Sequence, residues 1–259
     1  MNTACKNLLF NGIEALRQGD KDIERLIAPR SEAVLLLLER YINEIELFNP
    51  AYGLVGVANT EELIIKHILD SLAPLGIISR LLADSLTANH GGTDTVQIAD
   101  AGSGAGLPGI PLAITLPCCD FTLIERMGRR AGFLWNTKAA LAAQGSLAAK
   151  SSLADIGCLG LSNVSVEEGE LEKTAPKRFA LVTFRAFKPL EPTLLKTLFN
   201  TCIQGGIIAA FKGRREKVEQ EMAPLEKLCG QWEAIPCSVP FLDEERHLLV
   251  IKQPNWHKS

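Results

Sequence analysis

Between Ile98 and Ile114 the chain reads Ile-Ala-Asp-Ala-Gly-Ser-Gly-Ala-Gly-Leu-Pro-Gly-Ile-Pro-Leu-Ala-Ile: an apolar run, an acid, three glycines at alternate positions and a second apolar run. This order predicts a strand, then a loop whose backbone can approach a ligand closely, then a helix beginning near Leu107 with Pro108 in its first turn. The free amides of that turn would face the loop and favour a negative or electron-rich group. Asp100, Gly102, Gly104 and Gly106 are therefore the first candidate binding residues. About twenty residues further on, the apolar run Phe121 to Ile124 ends in Glu125, where nucleotide-binding α/β sheets place a carboxylate on ribose hydroxyls. The alternative for Glu125 is an exposed partner of Arg129, one helical turn away.

The spacing separates several nucleotide-type ligands. A dinucleotide fingerprint needs a small third residue where this chain has Leu107, and no lysine follows the glycines as a phosphate-binding loop requires. Glycines at alternate positions after an Asp fit an S-adenosylmethionine site more closely. A serine hydrolase is a rival, because Ala101 to Ala105 mimics a nucleophile elbow around Ser103 with Asp243 and His247 downstream. Hydrolysis leaves Asp100, Gly106 and Glu125 unexplained together. A nicotinamide oxidoreductase, and a purely structural strand-to-helix turn, are the other readings of the glycines.

No metal site is expected. The four histidines lie far apart, and His67 with Asp70 is the nearest approach to a ligand pair. Seven scattered cysteines, an odd number with no C-x-x-C, read as reduced and mostly buried thiols.

Placing the loop requires a sheet. Short apolar runs alternating with helix-length segments predict strands at Val96–Ala101, Phe121–Ile124, Val164–Val166, Phe179–Phe184, Ile207–Lys212, Glu233–Val239 and His247–Lys252, with the last two pairing as a hairpin at the sheet edge. The first ninety or so residues carry helical patterns instead, around Leu8–Leu16, over Ser31–Phe48 with Ser31 as its cap, and over Thr60–Leu72 with Pro74 beyond its end. A turn-rich stretch from Thr87 to Thr95 separates the two. The expected organisation is a helical extension over residues 1–93 and an α/β domain over 94–259, with the Ala-, Ser- and Gly-rich residues 144–160 as an insertion carrying one helix.

At 259 residues, 47% hydrophobic and 22% charged, the chain can bury a large core, and disorder, collagen and a membrane channel are excluded as descriptions of the whole. No apolar run approaches the ~20 residues of a bilayer span and no secretory leader precedes the first helix, so a cytoplasmic protein with no membrane partner is expected. The net charge of −3 advertises no global attraction to nucleic acid, so any such partner must meet a local patch.

The chain resembles the RsmG, or GidB, family, bacterial methyltransferases that modify N7 of a guanosine in small-subunit (16S) ribosomal RNA. The resemblance rests on Phe48-Asn49 through Leu54, His67-Ile68-Leu69-Asp70-Ser71, the loop from Asp100 to Pro111, Phe121-Thr122-Leu123, Gly128-Arg129-Arg130 with Phe133-Leu134, Arg185-Ala186-Phe187, Phe211-Lys212-Gly213, and Arg246-His247-Leu248 to Lys252. It departs from the family at Phe184, where a Ser usually precedes Arg-Ala-Phe, and in the lengthened 144–160 connection.

The resemblance implies a Rossmann-like class I methyltransferase sheet of seven mostly parallel strands, S-adenosyl-L-methionine as cofactor, and small-subunit ribosomal RNA or an assembling subunit as partner. It implies that Gly102 and Leu107 contact the cofactor, that Leu171 and Glu172 border its adenine, and that Arg185 stands beside the methyl-transfer site. Methyl transfer to another RNA or to a small molecule is the alternative. Guanine N7 carries a free lone pair and no proton, so no general base is needed and placement should dominate. Arg185 could then position the guanine through its O6. RNA phosphates would meet Arg126, Arg129 and Arg130 after the second strand, and Lys212, Arg214 and Arg215 after the fifth, both at the sheet's carboxyl edge. A monomer is expected.

Overall fold

The computed structural model describes residues 1–89, 95–148 and 161–253, so most of the stretch 144–160 set apart as an insertion lies outside the described residues. Seven strands form one sheet: β1 (Val96–Ala101), β2 (Cys119–Glu125), β3 (Val164–Glu168), β4 (Phe179–Arg185), β5 (Cys202–Lys212), β6 (Gln231–Pro236) and β7 (His247–Lys252). Their order is β3-β2-β1-β4-β5-β7-β6. The first five strands run parallel, and β7 inserts antiparallel between β5 and the edge strand β6. This is the expected sheet of seven mostly parallel strands, with an antiparallel hairpin at its edge. The sixth strand begins two residues earlier than expected, at Gln231, and ends at Pro236.

Alternation along the strands divides the apolar residues between two cores, as a sheet covered on both faces requires. Ile207, Ala209 and Phe211 of β5, with Leu248 and Val250 of β7, face one core; Ile208 and Ala210, with Leu249 and Ile251, face the other. The second core is closed by α9 (Pro192–Thr201) and α10 (Arg215–Met222). Helices α7 (Gly109–Thr115) and α8 (Gly128–Ala148) join the first core. So do the helices before the sheet: α1 (Thr3–Gly19), α2 (Lys21–Ile27), α3 (Ser31–Tyr52), α4 (Thr60–Leu63), α5 (Asp70–Leu72) and α6 (Leu75–Asn89). Residues from both sides of the expected 93/94 boundary thus bury one another.

Three local expectations need correction. Ser31 does not cap α3: it is the first helical residue, and the turn Ala28–Arg30 leads into it with no side-chain cap bond. The helix after the glycines starts at Gly109, two residues late, with Pro108 at its cap position. The stretch read as one helix from Thr60 to Leu72 is interrupted by a π-helical segment, Ile64–Leu69, between α4 and α5. Such a widened turn exposes backbone carbonyls that an α-helix would consume, and it is common at functional sites.

Helix α3 reaches the glycine loop directly. The Tyr41 hydroxyl, fully buried, donates to the Ala105 carbonyl at 2.7 Å, and burial holds its pKa well above the ordinary tyrosine value. Removing that donor strands a buried carbonyl. Tyr41→Phe is expected to lower unfolding free energy by about 1–2 kcal/mol in a urea titration, and an unchanged midpoint would detach α3 from the loop's support.

Candidate active site

Two cavities open at the carboxyl ends of the parallel strands, on either side of the reversal in strand order between β1 and β4, where α/β sheets bind ligands. The first, about 410 Å³, lies over the glycine loop and is lined by Gly102, Ile124, Glu125, Arg126, Arg130 and Leu171, among others.

The loop is built by carboxylates. Asp100 at the end of β1 is completely buried, and its Oδ2 accepts from the Ser103 hydroxyl at 2.7 Å and the Gly109 amide at 3.0 Å. Its Oδ1 has no hydrogen-bond partner among the described residues, and burial pushes the Asp100 pKa up to about 6. Glu125, also buried, accepts from the Gly104 amide at 2.9 Å through Oε2 and from the Met127 amide at 2.8 Å through Oε1. No ion pair joins Glu125 to Arg129, whose guanidinium lies over the Tyr52 ring. Gly102, Gly104 and Gly106 all have positive φ, which an L-residue adopts only under strain.

The loop residues do not all face the cavity. A side chain at Gly106 would strike Ile110, and the Leu107 side chain packs in the first core, so only the backbone of these two could meet a ligand. Asp100 supports the loop from beneath and lines neither cavity. Space above Gly104 is open, with nothing nearer than 3.9 Å to an added Cβ. Leu171 and Glu172, in the turn Leu171–Lys173 after β3, wall the far side; Glu172 pairs with Lys188 at 3.1 Å.

The serine hydrolase reading fails on geometry. Ser103 is buried and its hydroxyl is spent on Asp100, while His247 bonds the Gly213 carbonyl at 2.7 Å and Asp243 is exposed.

The second cavity, about 510 Å³, is basic. Arg185 closes β4 there, and its Nη1 donates to the Asp70 carboxylate at 3.0 Å and to the Lys66 carbonyl at 3.2 Å, the latter presented by the π-helical turn. Its Nη2 lies 2.6 Å from His67 Nδ1. Burial first, and then the nearby Arg185 and Lys66 charges, push the His67 pKa down to about 4, so the ring is neutral near pH 7 and accepts from Arg185. Arg246 takes the other Asp70 oxygen at 3.0 Å. Sequence reasoning assigns His67, Asp70 and Arg246 no place in the site, although the string His67–Ser71 and the sequence Arg246-His247 both stand out. Their pairing with Arg185 and with each other joins residues far apart in the chain, 118 positions for His67 with Arg185 and 176 for Asp70 with Arg246.

The basic clusters differ in their surroundings. Arg126 and Arg130 line the glycine-loop cavity and enter no ion pair among the described residues. Lys212 is drawn inward to Glu221 at 2.7 Å, and Arg215 pairs with Glu219 at 2.8 Å, whereas Arg214 is exposed.

A Rossmann-like sheet with a carboxylate-held glycine loop beside a second cavity defines a class I methyltransferase. A family model described as rRNA small subunit methyltransferase G matches residues 35–149. "Ribosomal RNA small subunit methyltransferase G" of Treponema denticola is 34% identical over 96% of this chain and 97% of its own. Its namesake in Treponema pallidum is 37% identical over 88% and 89%, and that of Cellvibrio japonicus 30% over 97% of both. The chain belongs to the ribosomal RNA small subunit methyltransferase G family.

Asp100 generates a test with a definite sign. Its folded pKa, about 6, exceeds the unfolded value of 3.8, so its ionisation costs stability as pH rises from about 4 through 6. Asp100→Asn should remove that slope: measured against the variant, the wild type should lose roughly 2–3 kcal/mol between pH 4 and pH 8. Parallel stability curves would mean that Asp100 does not titrate in this range.

Proposed function

We propose that this chain transfers a methyl group from S-adenosyl-L-methionine to N7 of a guanosine in small-subunit ribosomal RNA. The observation that carries this reading is the adjacency of the two cavities: Ala186, Phe187 and Lys188 line both, so a ligand on the glycine loop and a base beside Arg185 would lie on either side of this turn.

The residues present fit the cofactor. Gly104 leaves its backbone open and Gly102 lines the cavity beside the Phe187 ring, Glu125 offers remaining carboxylate lone pairs to a ribose, and Ile124 and Leu171 supply an apolar edge for a purine. When bound, S-adenosylmethionine supplies a sulfonium methyl to the N7 lone pair, the S–CH₃ bonding pair returning to sulfur and no proton leaving the base. The chain's own task is placement. Arg185 commits three of its five N–H donors to Lys66, Asp70 and His67, which fixes the guanidinium plane and leaves two donors for an acceptor such as guanine O6.

Lys66, Arg185, Lys188, Lys212 and Arg246 line the second cavity, but each is paired with a carboxylate, so RNA rather than a neutral small molecule is favoured by the family relationship and not by free charge here. No helix among the described residues is long and apolar enough to cross a membrane. The same reading has a monomer acting in the cytoplasm on free RNA or an assembling small subunit.

Calorimetry with S-adenosylhomocysteine and NAD, followed by methyl-transfer assays on small-subunit RNA, tests the assignment. Tight binding of the first ligand only is expected. Arg185→Lys should lower methyl transfer at least about tenfold while S-adenosylhomocysteine affinity moves less than about threefold, because a lysine cannot reproduce the forked geometry. Equal losses would make Arg185 a cofactor or folding residue.

RNA binding is expected first at the cations that enter no ion pair among the described residues. Replacing Arg126 and Arg130 together by glutamine should reduce the salt slope of RNA affinity by about 0.7–0.9 for each phosphate that these arginines meet, whereas Arg215→Gln should change it little. A larger effect from Arg215 would move the RNA face towards α10.

A further inference from the structure

One aromatic side chain stands at the junction of the two cavities. Phe187 is half-buried and, with its neighbours Ala186 and Lys188, lines both. Its ring rests on the glycine loop where a side chain at Gly102 would have to be, so that glycine is required by close approach as well as by its φ of +70°. The ring of Phe184, fully buried, meets Phe187 edge-on at 6.4 Å between centroids. Ala186 holds the turn between them at φ +48°, a conformation costly for a residue with a Cβ. Phe187 is therefore fixed by its surroundings at the place where donor and acceptor would meet.

The charge around it is also informative. Methyl transfer to guanine N7 conserves one positive charge but moves it from sulfur onto the purine ring. Lys66, Arg185, Lys212 and Arg246 around the second cavity are paired with Glu62, Asp70, Glu221 and Glu244, and Asp70, the carboxylate of the lining, has both oxygens bound to arginines, so it offers no free anion to a cationic purine. An aromatic face attracts a cation without itself carrying charge. The Phe187 face already draws one: the Lys188 ammonium lies 5.1 Å from its centroid, on a half-exposed side chain tethered to Glu172 at the surface.

We propose that Phe187 is the stacking surface for the target guanine, and that its face stabilises the positive charge developing on the purine. This rests on the methyl-transfer reading above and extends it to a residue that positions and stabilises the base. Arg185 addresses the edge of the base and the ring its face.

The test replaces Phe187 in the full chain with leucine and, separately, with phenylalanines carrying one, two and three ring fluorines, which keep the shape while weakening the negative face. Phe187→Leu should lower kcat on small-subunit RNA by about 5–30-fold, and each fluorine by about twofold. S-adenosylhomocysteine affinity should stay within about threefold throughout. A kcat indifferent to fluorination, or a leucine variant whose loss follows its cofactor affinity, would overturn the proposal. Should the leucine variant fail to fold, the fluorinated series, which preserves packing, decides. If the wild type binds S-adenosylhomocysteine but methylates no small-subunit RNA, the functional reading falls and this proposal with it.

Discussion

A buried carboxylate under the glycine loop is the constraint on which the site depends. Asp100 leaves the end of β1 towards the first core, and one of its oxygens joins Ser103 in the loop to Gly109 at the start of α7. Those bonds hold a loop that must turn sharply enough to put three glycines in the left-handed region. Glu125 grips the same loop from the neighbouring strand through the Gly104 amide, and Tyr41 from α3 takes the Ala105 carbonyl. Side chains from three elements satisfy the loop's polar groups from behind. Its surface at Gly104 stays bare backbone, which a ligand can approach closely. The unpaired Asp100 Oδ1 is the cost of the arrangement, since a buried oxygen without a donor opposes the ionised form.

The second cavity rests on a different balance. Asp70 lies between Arg185 and Arg246, and an ion pair at this depth roughly offsets its own desolvation. What it contributes is geometry. Two guanidinium groups each donate to a different oxygen of one carboxylate, so both are anchored by a residue on α5. The π-helical turn before it adds the Lys66 carbonyl and His67 to Arg185. The helices that precede the sheet are accordingly part of the site's wall, which explains why their apolar faces merge with the sheet's first core.

These two halves of the site are unequally legible in the sequence. The glycine loop is local: strand, acid, glycines and helix follow one another within seventeen residues, and Glu125 sits where the next strand must end. Even so, spacing could not show that Asp100, Gly106 and Leu107 face inward, because loop direction depends on which partners capture each polar group. The strands are readable because each core face recurs with period two. The second cavity is assembled from residues brought together only by the fold, with Arg246 and Asp70 176 positions apart. A run of charges also conceals its partners: Lys212 and Arg215 read as a basic cluster, but Glu221 and Glu219 of the following helix neutralise both. The π-helical turn leaves no compositional mark, since Ile64 to Leu69 continues the apolar pattern of an ordinary helix.

The two halves also differ in how they respond to pH. At Arg185 the neighbouring imidazole stays neutral down to about pH 4, so a proton never competes for Nδ1 under ordinary conditions and the guanidinium keeps its orientation. Protonating His67 would place two cations at hydrogen-bond distance, and the positive charges of Arg185 and Lys66 resist it. Asp100 is the opposite case. Its pKa of about 6 lies close to physiological pH, and protonation would relieve the buried charge while leaving one oxygen to accept from Ser103 and Gly109. Sensitivity to mild acid therefore belongs to the support beneath the glycine loop, and the geometry of the basic cavity is insulated from it.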